Sequence, residues 1–149
     1  MCGAKINSQY GYQICGHTIL CISCQTWGSI FLGYQAGTAT TTGVNNTGIN
    51  GGLTRITNGQ GNVGIGYCSL SRVTSGNYNV GLGWGAGMSN CGSWNIAIGT
   101  ESMYIQIGTG NCNVAIGTCA IYGNCTGTDN VGLGTSALYS NLNFLIKNI

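Results

Sequence analysis

Asn62-Val-Gly-Ile-Gly66 returns as Asn79-Val-Gly-Leu-Gly83, Asn95-Ile-Ala-Ile-Gly99, Asn113-Val-Ala-Ile-Gly117 and Asn130-Val-Gly-Leu-Gly134, with starts 17, 16, 18 and 17 residues apart. The same interval leads backwards to Asn46-Thr-Gly-Ile-Asn50, to Ser29-Ile-Phe-Leu-Gly33 and to a weak copy at Tyr12-Gln-Ile-Cys-Gly16. About eight units therefore cover most of the chain. A fixed period is the signature of architectures in which each unit buries its apolar face only against its neighbours. Some 17 residues are too few for a helical hairpin or a propeller blade, but they suit one coil of an all-β parallel solenoid with two short strands and two turns.

Within the five-residue strand the second and fourth places are apolar, so the two-residue period sends both to one face. That face is expected to line the coil. The third place is Gly64, Gly81, Ala97, Ala115 or Gly132, and its constant smallness predicts close packing on the opposite face. With so thin a core, the expectation is a homotrimer around an axis lined by these residues. The fifth place is Gly33, Gly66, Gly83, Gly99, Gly117 or Gly134, a corner needing positive φ, with Asn50 the natural substitute. Stacking at the strand spacing of about 4.8 Å places Asn46, Asn62, Asn79, Asn95, Asn113 and Asn130 in one column, where their amides are expected to form a ladder. Eight rungs at that spacing give a prism on the order of 40 Å tall.

Composition agrees. The chain has 149 residues, 28 Gly, no Pro, 9 Cys and 4% charged residues. A charged residue recurring in register would repel its own copies. Interior glycine at this density disfavours helices, and 43% apolar residues are too many for disorder. A net charge of +2 offers no basic surface for nucleic acid. No stretch approaches the ~20 apolar residues of a membrane helix, and no export signal is visible.

The units Asn113-Val-Ala-Ile-Gly-Thr-Cys-Ala-Ile-Tyr-Gly-Asn-Cys-Thr-Gly-Thr-Asp129 and Asn62-Val-Gly-Ile-Gly-Tyr-Cys-Ser-Leu70 resemble the head repeats of YadA-like trimeric autotransporter adhesins, in the longer form found in viral and phage fibre and surface proteins. The resemblance covers about residues 12–140. It implies a left-handed parallel β-roll assembled as a homotrimer and serving as a fibre, spike or surface module. Residues 1–11 then read as an N-terminal lead or cap and 141–149 as an apolar cap or docking tail. Neither a heptad stalk nor a barrel anchor is visible, which favours a virion-surface component over the head of a bacterial adhesin at the cell surface. The implied partners are the chain itself, with trimers stacked end to end as a further option, other virion or surface proteins, and a host receptor or glycan. An ice-binding solenoid is disfavoured because the threonines form no regular array.

Chemistry is sparse. One His, one Glu and one Asp, far apart in phase, supply no paired acid and base, and no serine has a triad. Gly81-Leu-Gly-Trp-Gly-Ala86 mimics a dinucleotide fingerprint only because the repeat recurs. Cys15, His17, Cys21 and Cys24 include a single C-x-x-C, and the repeat assigns them packing roles over a zinc site. No catalytic residue, cofactor or metal site is therefore expected. The other cysteines divide between free packing thiols and disulfides such as Cys119 to Cys125. Tyr34, Tyr67 and Trp84, all at the sixth place, are the candidate surface-contact aromatics.

Overall fold

A computed structural model describes residues 4–7, 11–14, 17–22, 28–40, 42–89, 92–105, 109–123 and 126–140, the first three segments as backbone strands. Seven strands form a parallel stack: β4 (Ile30–Leu32), β5 (Thr47–Ile49), β6 (Val63–Ile65), β7 (Val80–Leu82), β8 (Ile96–Ile98), β9 (Val114–Ile116) and β10 (Val131–Leu133). Their register is the register of the repeat, with Val63 opposite Val80, Gly64 opposite Gly81 and Ile65 opposite Leu82. Every neighbouring pair obeys it. The result is a β-solenoid of about six turns rising about 29 Å at the usual strand spacing.

The stack begins one unit later than the repeat suggests. β1 (Ala4–Asn7), β2 (Gly11–Ile14) and β3 (His17–Ile22) form an antiparallel meander, and β3 pairs antiparallel with β4. The weak copy at Tyr12 thus opens in β2 and is not a parallel rung.

Among the described residues each turn contains one strand rather than two. The seventh and ninth places are both left-handed: Cys68, Glu101 and Cys119 at the seventh, Leu70, Met103 and Ile121 at the ninth, with φ between 47° and 60°; in the Asn46 unit Leu53 takes the ninth-place part from the eighth place, at φ 57°. A backbone that reverses sign every second residue cannot extend. Such conformations cost non-glycine residues roughly 1 kcal/mol or more each, and the stack compensates by hydrogen-bonding them to the next coil or the one before. The Glu101 N–H donates to the Trp84 carbonyl at 2.9 Å, Cys119 to Thr100 at 2.9 Å, and Met103 to Ala120 at 2.9 Å. The fifth-place corner is glycine for two reasons. Its φ runs from 93° to 133°, and a Cβ on Gly66 would stand 2.8 Å from the Gly83 carbonyl oxygen below the next corner.

The two faces of the strand are the reverse of the sequence expectation. The third place points into the coil: Ala97 and Ala115 are fully buried within a single chain, and Gly64, Gly81 and Gly132 are buried too. The second and fourth places point outward. The third-place residues therefore cannot line an axis between subunits. What fills the coil is the ninth place, Leu70, Met103 and Ile121, with Leu53 in the same role from the eighth place of its unit, joined by Ile56 and Val73. These side chains lie against the third place of the next rung, so a Cβ on Gly64 would meet Leu53 Cγ at 3.0 Å and one on Gly81 would meet Leu70 Cγ at 2.8 Å. Smallness there reports a filled interior.

Size is traded between the two inward columns. Where the third place is large, at buried Phe31, the ninth place of that unit is Gly37 and the next third place is Gly48, and a Cβ on either would strike the Phe31 ring. Where the ninth place is Gly87, the Leu70 side chain enters the vacated space and the third place can grow to Ala97. Close packing of this kind makes one methyl group matter.

Candidate interaction surfaces

A buried amide ladder runs the length of the solenoid. The Asn46 Oδ1 atom accepts from both the backbone N–H and the side-chain amide of Asn62, at 2.9 and 3.1 Å. Asn62 treats Asn79 the same way, and the pattern continues through Asn95 and Asn113 to Asn130. Each Nδ2 also donates to the carbonyl of a loop glycine in the following coil: Asn46 to Gly59, Asn62 to Gly76, Asn79 to Gly92, Asn95 to Gly110 and Asn113 to Gly127. At the first unit, where Ser29 replaces Asn, its hydroxyl accepts from the Asn46 N–H at 3.0 Å. A carboxamide is the one neutral side chain that can accept from one neighbour and donate to another at this length. The ladder terminates at Asn130, whose fully buried Oδ1 has no partner.

Outward from the strands stands an apolar face of two columns. One column is Ile30, Thr47, Val63, Val80, Ile96, Val114 and Val131, and the other is Leu32, Ile49, Ile65, Leu82, Ile98, Ile116 and Leu133. All are at least partly exposed, Ile65 at 37%, Ile116 at 41% and Leu133 at 64%. Thr47 is the one polar member. Isolated exposed aliphatics are ordinary, whereas a contiguous apolar strip along seven rungs marks an interaction surface.

Aromatic residues form a second external feature. Tyr104, Tyr122 and Tyr139 recur at the tenth place and stack, with ring centroids 5.4 and 4.9 Å apart and planes within 12° and 7° of parallel. Trp84 caps the row against Tyr104 at 6.0 Å. Ring faces in this row cover one another, so it presents edges. The sequence singled out Trp84 but missed the three tyrosines, whose signal was their common phase in three successive units. Tyr34 and Tyr67 are also exposed and lie outside the row. Tyr67 lies over Gly51, where a Cβ would be 3.6 Å from its ring. Tyr78 stacks on Trp94 at 6.0 Å.

At the seventh place the Cys119 thiol donates to Glu101 Oε2 at 3.6 Å. Burial, then that hydrogen bond and the carboxylate charge, push the Cys119 thiol above its ordinary value of 9.0. Burial, followed by the Glu101 charge, also raises Tyr122. This thiol is held protonated, the opposite of what a nucleophile requires. Cys68, Cys112 and Cys119 are free; Cys15, Cys24, Cys91 and Cys125 lie outside the described residues, as do the side chains of His17 and Cys21 and the tail 141–149. Among the described residues no group of three His, Cys, Asp or Glu side chains is placed to hold a metal, and no helix is long and apolar enough to cross a membrane.

No family model, curated protein or solved structure matches the chain.

Proposed function

We propose that the chain is a non-enzymatic structural module that assembles as a homotrimer through its apolar strand face, forming a left-handed roll in a fibre, spike or surface module of a virus particle. The observation that carries the assembly is the two-column face of Val, Ile and Leu. A monomer leaves that strip in water, and burying it contributes roughly 25 cal/mol per Å². Three copies around one axis cover all three strips at once and leave no heterologous surface to propagate sideways. Near-absence of charge suits the same arrangement, because in-register stacking brings like positions together both along the solenoid and across the axis. The virion setting rests on the likeness of the Asn-led repeat to fibre and surface proteins, and the exposed Tyr34, Tyr67 and aromatic row are the surfaces left for an outside partner.

The test has two arms. Native mass spectrometry in reductant is expected to give three chains per particle, and purified virions from the source system are expected to contain the polypeptide. A monomer in the first arm removes the assembly; a chain absent from virions removes the location.

A further inference from the structure

One pentapeptide returns in register on the turn side of the coil. Leu53-Thr-Arg55-Ile-Thr57 and Leu70-Ser-Arg72-Val-Thr74 start 17 residues apart, and the stack lays one over the other. Leu53 and Ile56 are fully buried in one rung, Leu70 and Val73 in the next. The Thr57 N–H and the Thr57 hydroxyl both donate to the Thr74 carbonyl, each at 3.0 Å. Arg55 and Arg72 lie between the buried positions and are exposed. Two guanidinium side chains therefore leave the solenoid one rung apart, about 4.8 Å along its axis. Like charges at that spacing repel, and no other place of the repeat carries like charge in two neighbouring units. Nothing within the chain offsets the pair. The only acidic side chains are Glu101 and Asp129, in the Asn95 and Asn113 units, and Glu101 accepts from Cys119. Among the described residues no ion pair or side-chain hydrogen bond engages either arginine. Their column is short on both sides, with Ala39 in the rung before and Ser89 in the rung after; the Ala39 N–H donates to the Thr54 carbonyl as the Arg72 N–H does to Met88.

We propose that Arg55 and Arg72 form a binding site for an acidic glycan, a chain of sugars bearing sulfate or carboxylate groups and lying along the solenoid axis. Repetition decides the ligand class. Each of the two rungs presents a guanidinium and, two places on, a threonine, on either side of a buried Ile56 or Val73. A polysaccharide repeats in the same way. One extended sugar advances its chain by close to one rung, so charges on neighbouring sugars reach neighbouring arginines while ring hydroxyls meet the threonines. The guanidinium fork takes two oxygens of either acid group at once. An extended acidic peptide instead places side chains of one face about 6.6 Å apart, out of step with the rungs. A nucleic acid gains too little from two cations. This names a further surface for an outside partner, and it rests on the register of the rungs, not on the trimer or the virion setting.

The experiment titrates the intact chain calorimetrically, in reductant, with a heparin tetrasaccharide for sulfate and a sialic acid tetramer for carboxylate; the desulfated, carboxyl-reduced heparin tetrasaccharide is the neutral reference. Saturable binding of one acidic oligosaccharide per chain is expected, the tighter of the two probes naming the acid group, with no binding of the neutral reference. Arg55→Gln and Arg72→Gln should each weaken binding about ten-fold or more, the loss of one charge-assisted contact. Lys5→Gln removes the same net charge elsewhere and should leave the affinity as it was. Because both arginines are exposed and repel one another, the two arginine variants should unfold in urea at or above the midpoint of the unaltered chain; a midpoint clearly below it would make the pair a structural element. Binding of neither acidic probe, equal binding of the neutral reference or of a tetraglutamate peptide, unchanged affinity in the arginine variants, or an equal loss in Lys5→Gln overturns the proposal.

Discussion

Asn79 Oδ1 is the acceptor for two donors of Asn95, its backbone N–H at 3.0 Å and its side-chain amide at 3.2 Å, sixteen residues further along the chain. The pair is fully buried. Two coils are tied by one oxygen atom, and that oxygen belongs to a side chain which simultaneously donates to Asn62 Oδ1 at 3.1 Å and to the Gly92 carbonyl at 2.9 Å. The ladder is a chain of obligations in which each member holds the next.

Replacing Asn79 by Leu keeps the approximate shape and removes all of these bonds. The N–H and Nδ2 of Asn95 and the acceptors at Asn62 and Gly92 lose a partner. At about 1–3 kcal/mol for each group left wholly unsatisfied, the loss of unfolding free energy is expected to be about 3 kcal/mol or more, read from the urea midpoint. Asp at the same site is expected to do at least as badly, since it keeps the acceptor but buries a charge without a counterion. A loss below about 1 kcal/mol for Asn79→Leu contradicts the ladder.

The exchange of volume between the third and ninth places predicts coupled substitutions. Gly48→Ala drives a Cβ to 2.8 Å from the Phe31 ring, and overpacking of this kind typically costs about 1–3 kcal/mol. Phe31→Ala alone leaves a cavity and costs about 3–5 kcal/mol. In the double variant the share of the Gly48→Ala penalty owed to the ring should vanish, while the 2.8 Å approach to the Gly52 carbonyl remains, giving a coupling energy of roughly 0.5–1 kcal/mol or more in a double-mutant cycle. Strict additivity in thermal or chemical denaturation would show that the two positions do not meet inside the coil.

Thiol chemistry separates Cys119 from Cys112, which is exposed. Because desolvation and Glu101 hold Cys119 protonated, its alkylation by iodoacetamide at pH 8.5 is expected to lag that of Cys112, and Glu101→Gln should speed it. The linkage follows the same sign. A thiol whose folded value is raised contributes stability fully below its ordinary value of 9.0 and loses that contribution as pH rises through the folded value. The wild-type chain should therefore become less stable on the alkaline side, and less steeply so in Cys119→Ser. Equal alkylation rates at Cys112 and Cys119 would remove the Glu101 contact from the account.

How far the sequence disclosed this molecule is clearest at single positions. The period, the common phase of the Asn residues and the corner glycines were legible because each reports a backbone constraint that recurs without exception from Gly66 to Gly134. The alternation Val-x-Ile told that two faces differ, but not which face is inside. That depended on the ninth place, where Leu70, Met103 and Ile121 interleave with Gly37 and Gly87 and Leu53 is displaced to the eighth, and so looked like a variable loop. The same residues hid the second side of the coil, since a bulky side chain at positive φ is the opposite of what a turn usually selects. Tyr104, Tyr122 and Tyr139 were in phase yet preceded by Ser71 and Met88, so their column could be seen only once the rungs were stacked.

On the apolar face, Leu82→Lys or Ile116→Lys should leave the monomer nearly as stable as before, within about 0.5 kcal/mol, because neither side chain is buried within the chain and surface changes are usually small. In the assembly the same charge would be buried without a partner. Sedimentation is expected to show a trimer for the unaltered chain and monomers for both variants, with circular dichroism unchanged. A variant that remains trimeric would move the interface elsewhere.

The most direct test of the reversed faces places a photoreactive benzoylphenylalanine at Leu82, on the outward fourth place, or at Thr126, an exposed loop residue off the strand face, and irradiates the assembled protein in reductant. Cross-linked species of two and three chain masses from the Leu82 position, and none from Thr126, are predicted. Only uncrosslinked chain from Leu82, with chain-to-chain products arising at Thr126 instead, would contradict a strand face that joins the subunits.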